Sequence, residues 1–363
     1  MKNTFGQSVS VTLFGESHGN AIGVVLDGLA PGIEIDESFI KQQLTRRRPN
    51  GALSTARQEA DPYQFLSGVF EGHTTGTPLC IMIPNEDTRS QDYSGVRKAA
   101  RPAHADYTAH IKYNGFEDYR GGGHFSGRLT AALVAGGAIA LKALERKGIH
   151  IGTRIMRCAG IEDASAFENA DQILALREKP FPVLCDKTGE EMQGAILAAK
   201  ADGDSVGGVL HSVITGLPAG VGEPWFDTME GVLSHAIFSI PAVKGVSFGD
   251  GFAISDKRGS EANDPMRYEN GKVVTLTNNN GGINGGITNG MPVDIKIAMK
   301  PTPTIFKDQQ TINFLTGEDA VLQAKGRHDP CIVHRAVVVA DSVIALALCD
   351  MLAIKYGTDW LSK

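Results

Sequence analysis

The sequence predicts an α+β fold made of two similar halves, each an antiparallel sheet followed by a long helix. Three observations carry this reading. Short segments that alternate apolar with polar or small residues recur along the chain, as in sheets buried on one face. Four segments have helical periodicity with recognisable caps. Three landmarks also repeat in the same order. Gly28-Leu29-Ala30-Pro31-Gly32-Ile33 precedes one helix, as Gly216-Leu217-Pro218-Ala219-Gly220-Val221 precedes another. Thr75-Gly76-Thr77-Pro78 and Asn289-Gly290-Met291-Pro292 each open an alternating strand, and each half then ends on a long helix. The expected halves are about 1–150 and 205–360, within a single domain spanning 1–363. No Ser/Pro-rich linker divides them, so one shared core is expected.

The elements follow in order. Strands are expected at Ser8–Phe14, Ile22–Asp27, Phe65–Phe70, Pro78–Pro84 and Ile149–Arg157. Later strands are expected at Gly208–Thr215, Val243–Phe248, Val273–Thr277 and Val293–Met299. Asp36 caps a helix over Glu37–Arg47 that stops before Pro49. Ser126 caps a long helix running to Lys147 and ended by Gly148. Its Ala131, Ala132, Ala135, Gly136, Gly137, Ala138 and Ala140 let neighbouring backbones approach closely, which suits the inside of a packed layer. A third helix begins at Asp227, with Met229, Val232, Leu233, Ala236, Ile237 and Ile240 on one face. The last runs from about Val337 to Tyr356 and ends at Gly357.

Composition narrows the function classes. Of 363 residues, 42% are apolar and 21% charged, which excludes a disordered or fibrous chain. Lys and Arg number 35 against 41 Asp and Glu, so a broad basic face for duplex nucleic acid is not expected. Five scattered cysteines without a CxxC pair read as reduced thiols of a cytosolic protein. The uncharged apolar stretch Leu129–Leu141 is shorter than a membrane span, and Asp341 and Asp350 interrupt Ala336–Ile354. The N-terminal residues lack the apolar core of a secretion signal. A cytoplasmic protein without a membrane or nucleic-acid partner is therefore expected.

Seven polar segments do not look structural. Gly15-Glu16-Ser17-His18-Gly19 follows a strand directly, and a histidine held in such a turn exchanges protons near neutral pH. In Arg101-Pro102-Ala103-His104-Ala105-Asp106 an aspartate beside a histidine can hold one tautomer or keep the ring cationic. Tyr119-Arg120-Gly121-Gly122-Gly123-His124-Phe125-Ser126-Gly127-Arg128 places three glycines before a helix, a geometry suited to an anion. It is neither a Walker loop nor a dinucleotide fingerprint. Asn278–Gly286 reads either as backbone packed against a flat or anionic ligand or as a low-complexity turn. Lys300-Pro301-Thr302-Pro303-Thr304 is stiff and carries a lysine and two hydroxyls. Gly326-Arg327-His328-Asp329-Pro330-Cys331 sets charges of both signs before the final helix, and one or two of Arg46, Arg47 and Arg48 suit a phosphate or carboxylate. No HExxH metal spacing occurs. Together the clusters describe proton handling around a multiply anionic ligand, with a phosphorylated cofactor.

These motifs, in this order, resemble the chorismate synthase family from about Phe5 to Met351. The specific pieces are Gly15–Pro31, Arg46-Arg47-Arg48-Pro49, Arg89-Ser90-Gln91-Asp92-Tyr93, Arg101–Asp106 and Asp118–Gly123. Val243–Val246, Gly249-Asp250-Gly251-Phe252 and Gly326–Pro330 complete them. The resemblance implies a β-α-β sandwich in which antiparallel sheets enclose helices, usually as a homotetramer. It implies a lyase that converts 5-enolpyruvylshikimate-3-phosphate into chorismate and phosphate by 1,4-anti elimination, with reduced FMN required and no net redox change. His104 matches the histidine that protonates the departing phosphate, and His18 the one that steadies the reduced flavin near N1. Asp329, helped by Ser17, matches the pair that relays the flavin N5 proton. His124, Phe125, Ser126, Pro241, Ala242, Gly285, Lys300, Pro301, Thr302, Pro303, Thr304 and Arg327 fall in the family's flavin-contact segments. Arg47, Arg48, Arg120 and Arg327 match candidates for neutralising substrate or flavin anions, or NADPH.

The chain departs from the family in places. Many members carry Arg-Ser-Ser at His124-Phe125-Ser126, and Asn or Gln at Pro241. The stretch after Pro49 is a residue shorter than in some members and lacks an arginine near Leu53. Ser17, His18, His104 and Asp329 are untouched. With no long insertion for a reductase domain, the expected type is monofunctional, served by an outside flavin reductase, with NADPH as the alternative reductant.

Overall fold

The computed structural model describes residues 2–49, 51–54, 60–86, 99–167, 170–323 and 328–362. Two five-stranded sheets, antiparallel throughout, enclose two long helices. The first sheet runs in the order Thr4–Phe5, Ser10–Gly15, Ala21–Asp27, Leu79–Pro84 and Gln64–Ser67. The second runs Val243–Phe248, Val293–Met299, Gly208–Thr215, His150–Cys158 and Ile161–Glu162. Taken in chain order, the four main strands of each sheet are arranged first, second, fourth, third. The second series opens at His150, so the boundary expected near 205 leaves out its first strand.

The helix Thr130–Glu145 packs on the first sheet, and Val333–Tyr356 packs on the second. The stretches Gly127–Glu145 and Val333–Tyr356 are long and apolar enough to cross a membrane, but 89% and 94% of them is buried inside the protein. The expected helix Ser126–Lys147 is shorter. Ser126 caps a 3₁₀ turn, Gly127–Leu129, by accepting from Arg128 N, and the α-helix starts only at Thr130. Thr228, not Asp227, caps Met229–Ile237, because its Oγ1 accepts from Gly231 N at 2.9 Å. The last helix starts four residues earlier than its apolar run, at Val333. Asp36 caps Glu37–Arg47 as the sequence suggests. The expected strand Phe65–Phe70 breaks at Gly68, where φ is +82° and a Cβ would lie 2.4 Å from Leu79 Cα. A helix at Asp186–Ala201 and a hairpin joining Gln309–Asn313 to Glu318–Leu322 were not expected.

The layers meet through small residues. A Cβ on Gly136 would come within 3.3 Å of Val24, on the first sheet. On Gly137 it would lie 2.3 Å from Ser342 Cβ and 2.7 Å from its Cα, on the other helix. The chain is also tied across its length. Asp350, buried near the end of the last helix, accepts backbone N–H bonds from Gln7, Ser8 and Val9 at 2.7–3.1 Å.

The Gly137 contact yields a prediction. Gly137→Ala should force the helices apart and lower stability by about 1–3 kcal/mol, as overpacking does. Gly194→Ala, which meets nothing within 4 Å, should be neutral or stabilising. Urea unfolding of both variants reads the difference, and equal midpoints would show that the helices slide apart freely.

Candidate active site

The first motif sits where the strand Ser10–Gly15 ends. Asn85 Nδ2 ties the turn by donating to the Glu16 and Gly19 carbonyls, each at 2.9 Å. Ser17 N donates to Gly123 O at 3.1 Å, which brings the glycine loop against the turn. Ser17 Oγ donates to Arg120 O at 3.2 Å and lies 3.1 Å from His18 Nδ1. A hydroxyl has one hydrogen, so its oxygen accepts from Nδ1–H, which places the imidazole proton on that nitrogen.

The three glycines have φ of +60°, +86° and +53°. Their main task is close approach. A Cβ on Gly121 would lie 2.2 Å from His18 Cε1, and one on Gly122 would lie 3.3 Å from His104 Cε1. The loop therefore runs between two histidines that are far apart in sequence. The anion-cradle reading of the glycines missed this, because a ring contact leaves no mark at the glycines themselves. His124 closes the group, with Nδ1 donating to Gly15 O at 2.8 Å.

His104 Nδ1 lies 2.8 Å from Asp106 Oδ1. Asp106 also accepts from Arg101 N, Nε and Nη2 at 2.7–2.9 Å. Burial alone would raise the Asp106 carboxyl, but Arg101 and His104 outweigh it and hold it well below the usual carboxylate range.

Of these residues, Gly121, His104 and His124 border a cavity of about 1130 Å³. Its polar wall includes Arg47, His104, His124, Lys300, Asp329 and Arg335, and its apolar wall Leu133, Ile240, Val339 and Val343. Phe125, Ser126, Pro241, Ala242, Thr302, Pro303 and Thr304 also line it. Gly121 lines it as well and screens the buried Ser17 and His18 behind it. A smaller cavity of about 450 Å³ shares His104, His124 and Phe125 with the first. Two non-glycine residues with positive φ mark the rim, Ala103 at +57° and Ala242 at +75°. Lys300 braces both, its Nζ donating to Ala103 O and its N to Ala242 O at 2.9 Å. Burial and the neighbouring Lys244 lower the Lys300 ammonium from its ordinary value. Thr302 Oγ1 is buried with no hydrogen-bond partner among the described residues.

Some expected residues do not join this wall. Gly285 is the exposed tip of a small hairpin, and Pro301 faces solvent. Arg327 lies outside the described residues, as does the Arg89–Tyr93 motif. Arg120 forks onto Asp118 with two bonds of 2.8 Å. The arginine run divides three ways. Arg46 turns inward to the buried Asp341 at 3.4 Å, while Arg47 and Arg128 both pair with Asp61, Arg47 at 3.0 Å. Arg48 Nε stands 3.7 Å from the same carboxylate. Burial pushes the Arg47 guanidinium down to about 10. Burial would raise Asp61, but Arg47 and Arg128 overcome it and hold the carboxyl below its ordinary value. The Asn278–Gly286 run is a structural turn, since Asp264 accepts from Asn279 N, Asn280 N and Asn280 Nδ2 at 2.7–3.0 Å. Sequence reasoning also missed Arg335, which pairs with Asp329 and donates to Arg47 O at 2.8 Å.

Two predictions follow from this geometry. Gly121→Ala should displace His18 and the loop, costing about 1–3 kcal/mol by overpacking; Gly127→Ala, with open space around it, is the control. Calorimetric melting of the pair would show equal temperatures if the contact is soft. Asp61 stabilises the fold above its unfolded pKa of about 3.9, and that stability is lost as pH falls through its lower native value. Asp61→Asn should therefore flatten the stability profile below about pH 4 and lower the plateau above it. An acid limb as steep as the parent's would contradict the pairing.

The comparisons with known proteins agree with this picture. The family model described as chorismate synthase matches residues 9–353. The chorismate synthase of Pyrococcus abyssi is 46% identical over 352 residues, covering 96% of this chain and 97% of that protein. That of Parabacteroides distasonis is 46% identical over 356 residues, covering 97% and 98%. A crystal structure of chorismate synthase superimposes with a TM-score of 0.75 at 31% identity, covering 98% of this chain and 94% of the other. With nearly the whole length matched in sequence and in fold, the chain belongs to the chorismate synthase family.

Proposed function

We propose that the 1130 Å³ cavity is where this chain performs its family's reaction, the elimination of phosphate from 5-enolpyruvylshikimate-3-phosphate to give chorismate. The reaction is a carbon–oxygen lyase step and the last in the shikimate pathway. The observation that carries the placement is the convergence of His18, His104 and His124 on one glycine loop beside Lys300 and Arg335.

The residues fit a flavin mononucleotide. The cavity has room for more than one small ligand, an apolar wall for a flat ring and cations for a phosphate. The Thr302 hydroxyl, buried and unpartnered among the described residues, needs an acceptor or donor, which a bound group supplies. His124, Phe125, Ser126, Pro241, Ala242, Lys300 and Thr302 to Thr304 would hold the group. Reduced FMN, when bound, supplies electron density while the allylic C–O bond breaks.

The protein's part is binding and proton handling. Arg47 and Arg335 supply positive charge toward the phosphate and carboxylates. His104, bonded through Nδ1, keeps Nε2 for the departing phosphate and gives it a proton there. His18 takes part in the proton handling with its proton on Nδ1 and its ring fixed by Ser17. Asp329, oriented by Arg335 just before the last helix, is the carboxylate that accepts and relays a proton. The apolar wall excludes water from these transfers.

The remaining properties are part of the same proposal. The chain works in the cytoplasm as a homotetramer, with its flavin reduced by an outside reductase or by NADPH. Trp225, Phe226 and Phe252 are 86%, 95% and 92% exposed, which supports burial of apolar surface between copies. The matching strand order of the two sheets supports an origin of the fold by duplication.

The test is anaerobic turnover with dithionite-reduced FMN, following chorismate by absorbance. Turnover by the parent is expected, with losses of about 100-fold or more in His104→Ala and Asp329→Ala. Full activity in either variant would remove that residue from the proton path. Tight FMN binding without any turnover would leave a binding protein on this fold.

A further inference from the structure

We infer that Asp106, clamped by Arg101, is the positioning residue that keeps the proton of His104 on Nδ1 and its Nε2 turned to the cavity. The inference rests on the proposed role of His104 and deepens it.

The geometry leaves little choice of proton position. His104 Nδ1 and Asp106 Oδ1 are 2.8 Å apart. Two lone pairs would repel at that distance, so a proton stands between them. Asp106 accepts three N–H bonds from Arg101 and is therefore an ionised acceptor with no hydrogen to give. The proton belongs to Nδ1. Arg101 Nη2 approaches the same nitrogen to 3.1 Å, but it and Nδ1 share Oδ1 as a common acceptor. Asp106 and Arg101 are both buried, with side chains only 7% exposed, so water does not compete for these bonds.

The opposite edge of the ring faces Gly122, where an added Cβ would lie 3.5 Å from Nε2. His104 is thus gripped at Nδ1, while its Nε2 makes no hydrogen bond among the described residues. When Nε2 gives up a proton, the ring left behind is the neutral Nδ1–H tautomer, which Asp106 already accommodates. Without the carboxylate, the cation formed when Nε2 is reprotonated would sit beside the Arg101 guanidinium with nothing to balance it.

The substitution Asp106→Asn separates the alternatives. Its oxygen must face the Arg101 donors, so its NH₂ meets His104 Nδ1 and turns that nitrogen into an acceptor. The neutral ring then carries its proton on Nε2. Nitrogen-15 NMR of histidine-labelled protein without flavin should show His104 protonated at Nδ1 in the parent and at Nε2 in Asp106→Asn. Kcat should fall about 10- to 100-fold, as when a ligating or catalytic histidine loses its orienting carboxylate, with KM little changed. A parent signal with Nδ1 unprotonated in the neutral ring would overturn the inference, and needs no variant. So would Asp106→Asn turning over within about twofold of the parent while His104→Ala is inactive. If His104→Ala retains activity while the parent shows Nδ1–H, the catalytic role of His104 fails and the tautomer assignment stands.

Discussion

The fold depends on two helices lying close enough to share one layer. Gly137 meets Ser342 at a separation that leaves no room for a methyl group. That contact sets the spacing between the sheets, since each helix also carries one sheet on its outer side. Dense packing of this kind transmits displacement, because interiors have few voids to absorb it. The cavity lies where the helices begin. Leu129, Thr130 and Leu133 come from the start of one, and Ile332, Arg335, Ala336 and Val339 from the start of the other. The position of the cavity wall is therefore inherited from a helix contact in the core.

Around the cavity, charge is balanced locally. Asp61 answers Arg47 and Arg128, Asp118 answers Arg120, Asp106 answers Arg101, and Asp329 meets Arg335. Such pairs hold long side chains in one geometry before a ligand arrives, so less ordering is left to binding. They also moderate the positive potential of the site, which keeps a trianionic substrate from being held too firmly. The histidines are fixed in the same way, each through Nδ1: His18 to Ser17, His104 to Asp106, His124 to Gly15 O.

Local features were legible in the sequence and distant pairings were not. Asp36 and Pro49 mark the ends of the first helix because capping and proline act on adjacent backbone. Histidine and aspartate two positions apart in His104-Ala105-Asp106 could be read as a pair for the same reason. The helix Asp186–Ala201 was missed because Gly189 and Gly194 interrupt a polar run with little periodicity. Nothing near Asp61 announces Arg128, 67 residues away, and nothing near Gly121 announces His18. Gly285 went the other way, since family position placed it at the flavin while in this chain it tips an exposed hairpin. A motif fixes what a residue is able to do, and only the tertiary fold decides what it meets.

The grip of Asp350 on Gln7, Ser8 and Val9 has a consequence for biosynthesis. The amino-terminal strands are made first, yet the helix that anchors their backbone and packs beneath the neighbouring layer is made last. Until residues 333–353 emerge, the Ala-rich helix has one flank bare and the first sheet has its opening turn unfastened. Contacts of such long sequence separation close slowly, and the interval exposes apolar surface. A nascent chain of this architecture should depend on holding chaperones throughout translation, and a stop shortly before residue 350 should yield an aggregate and not a smaller folded protein.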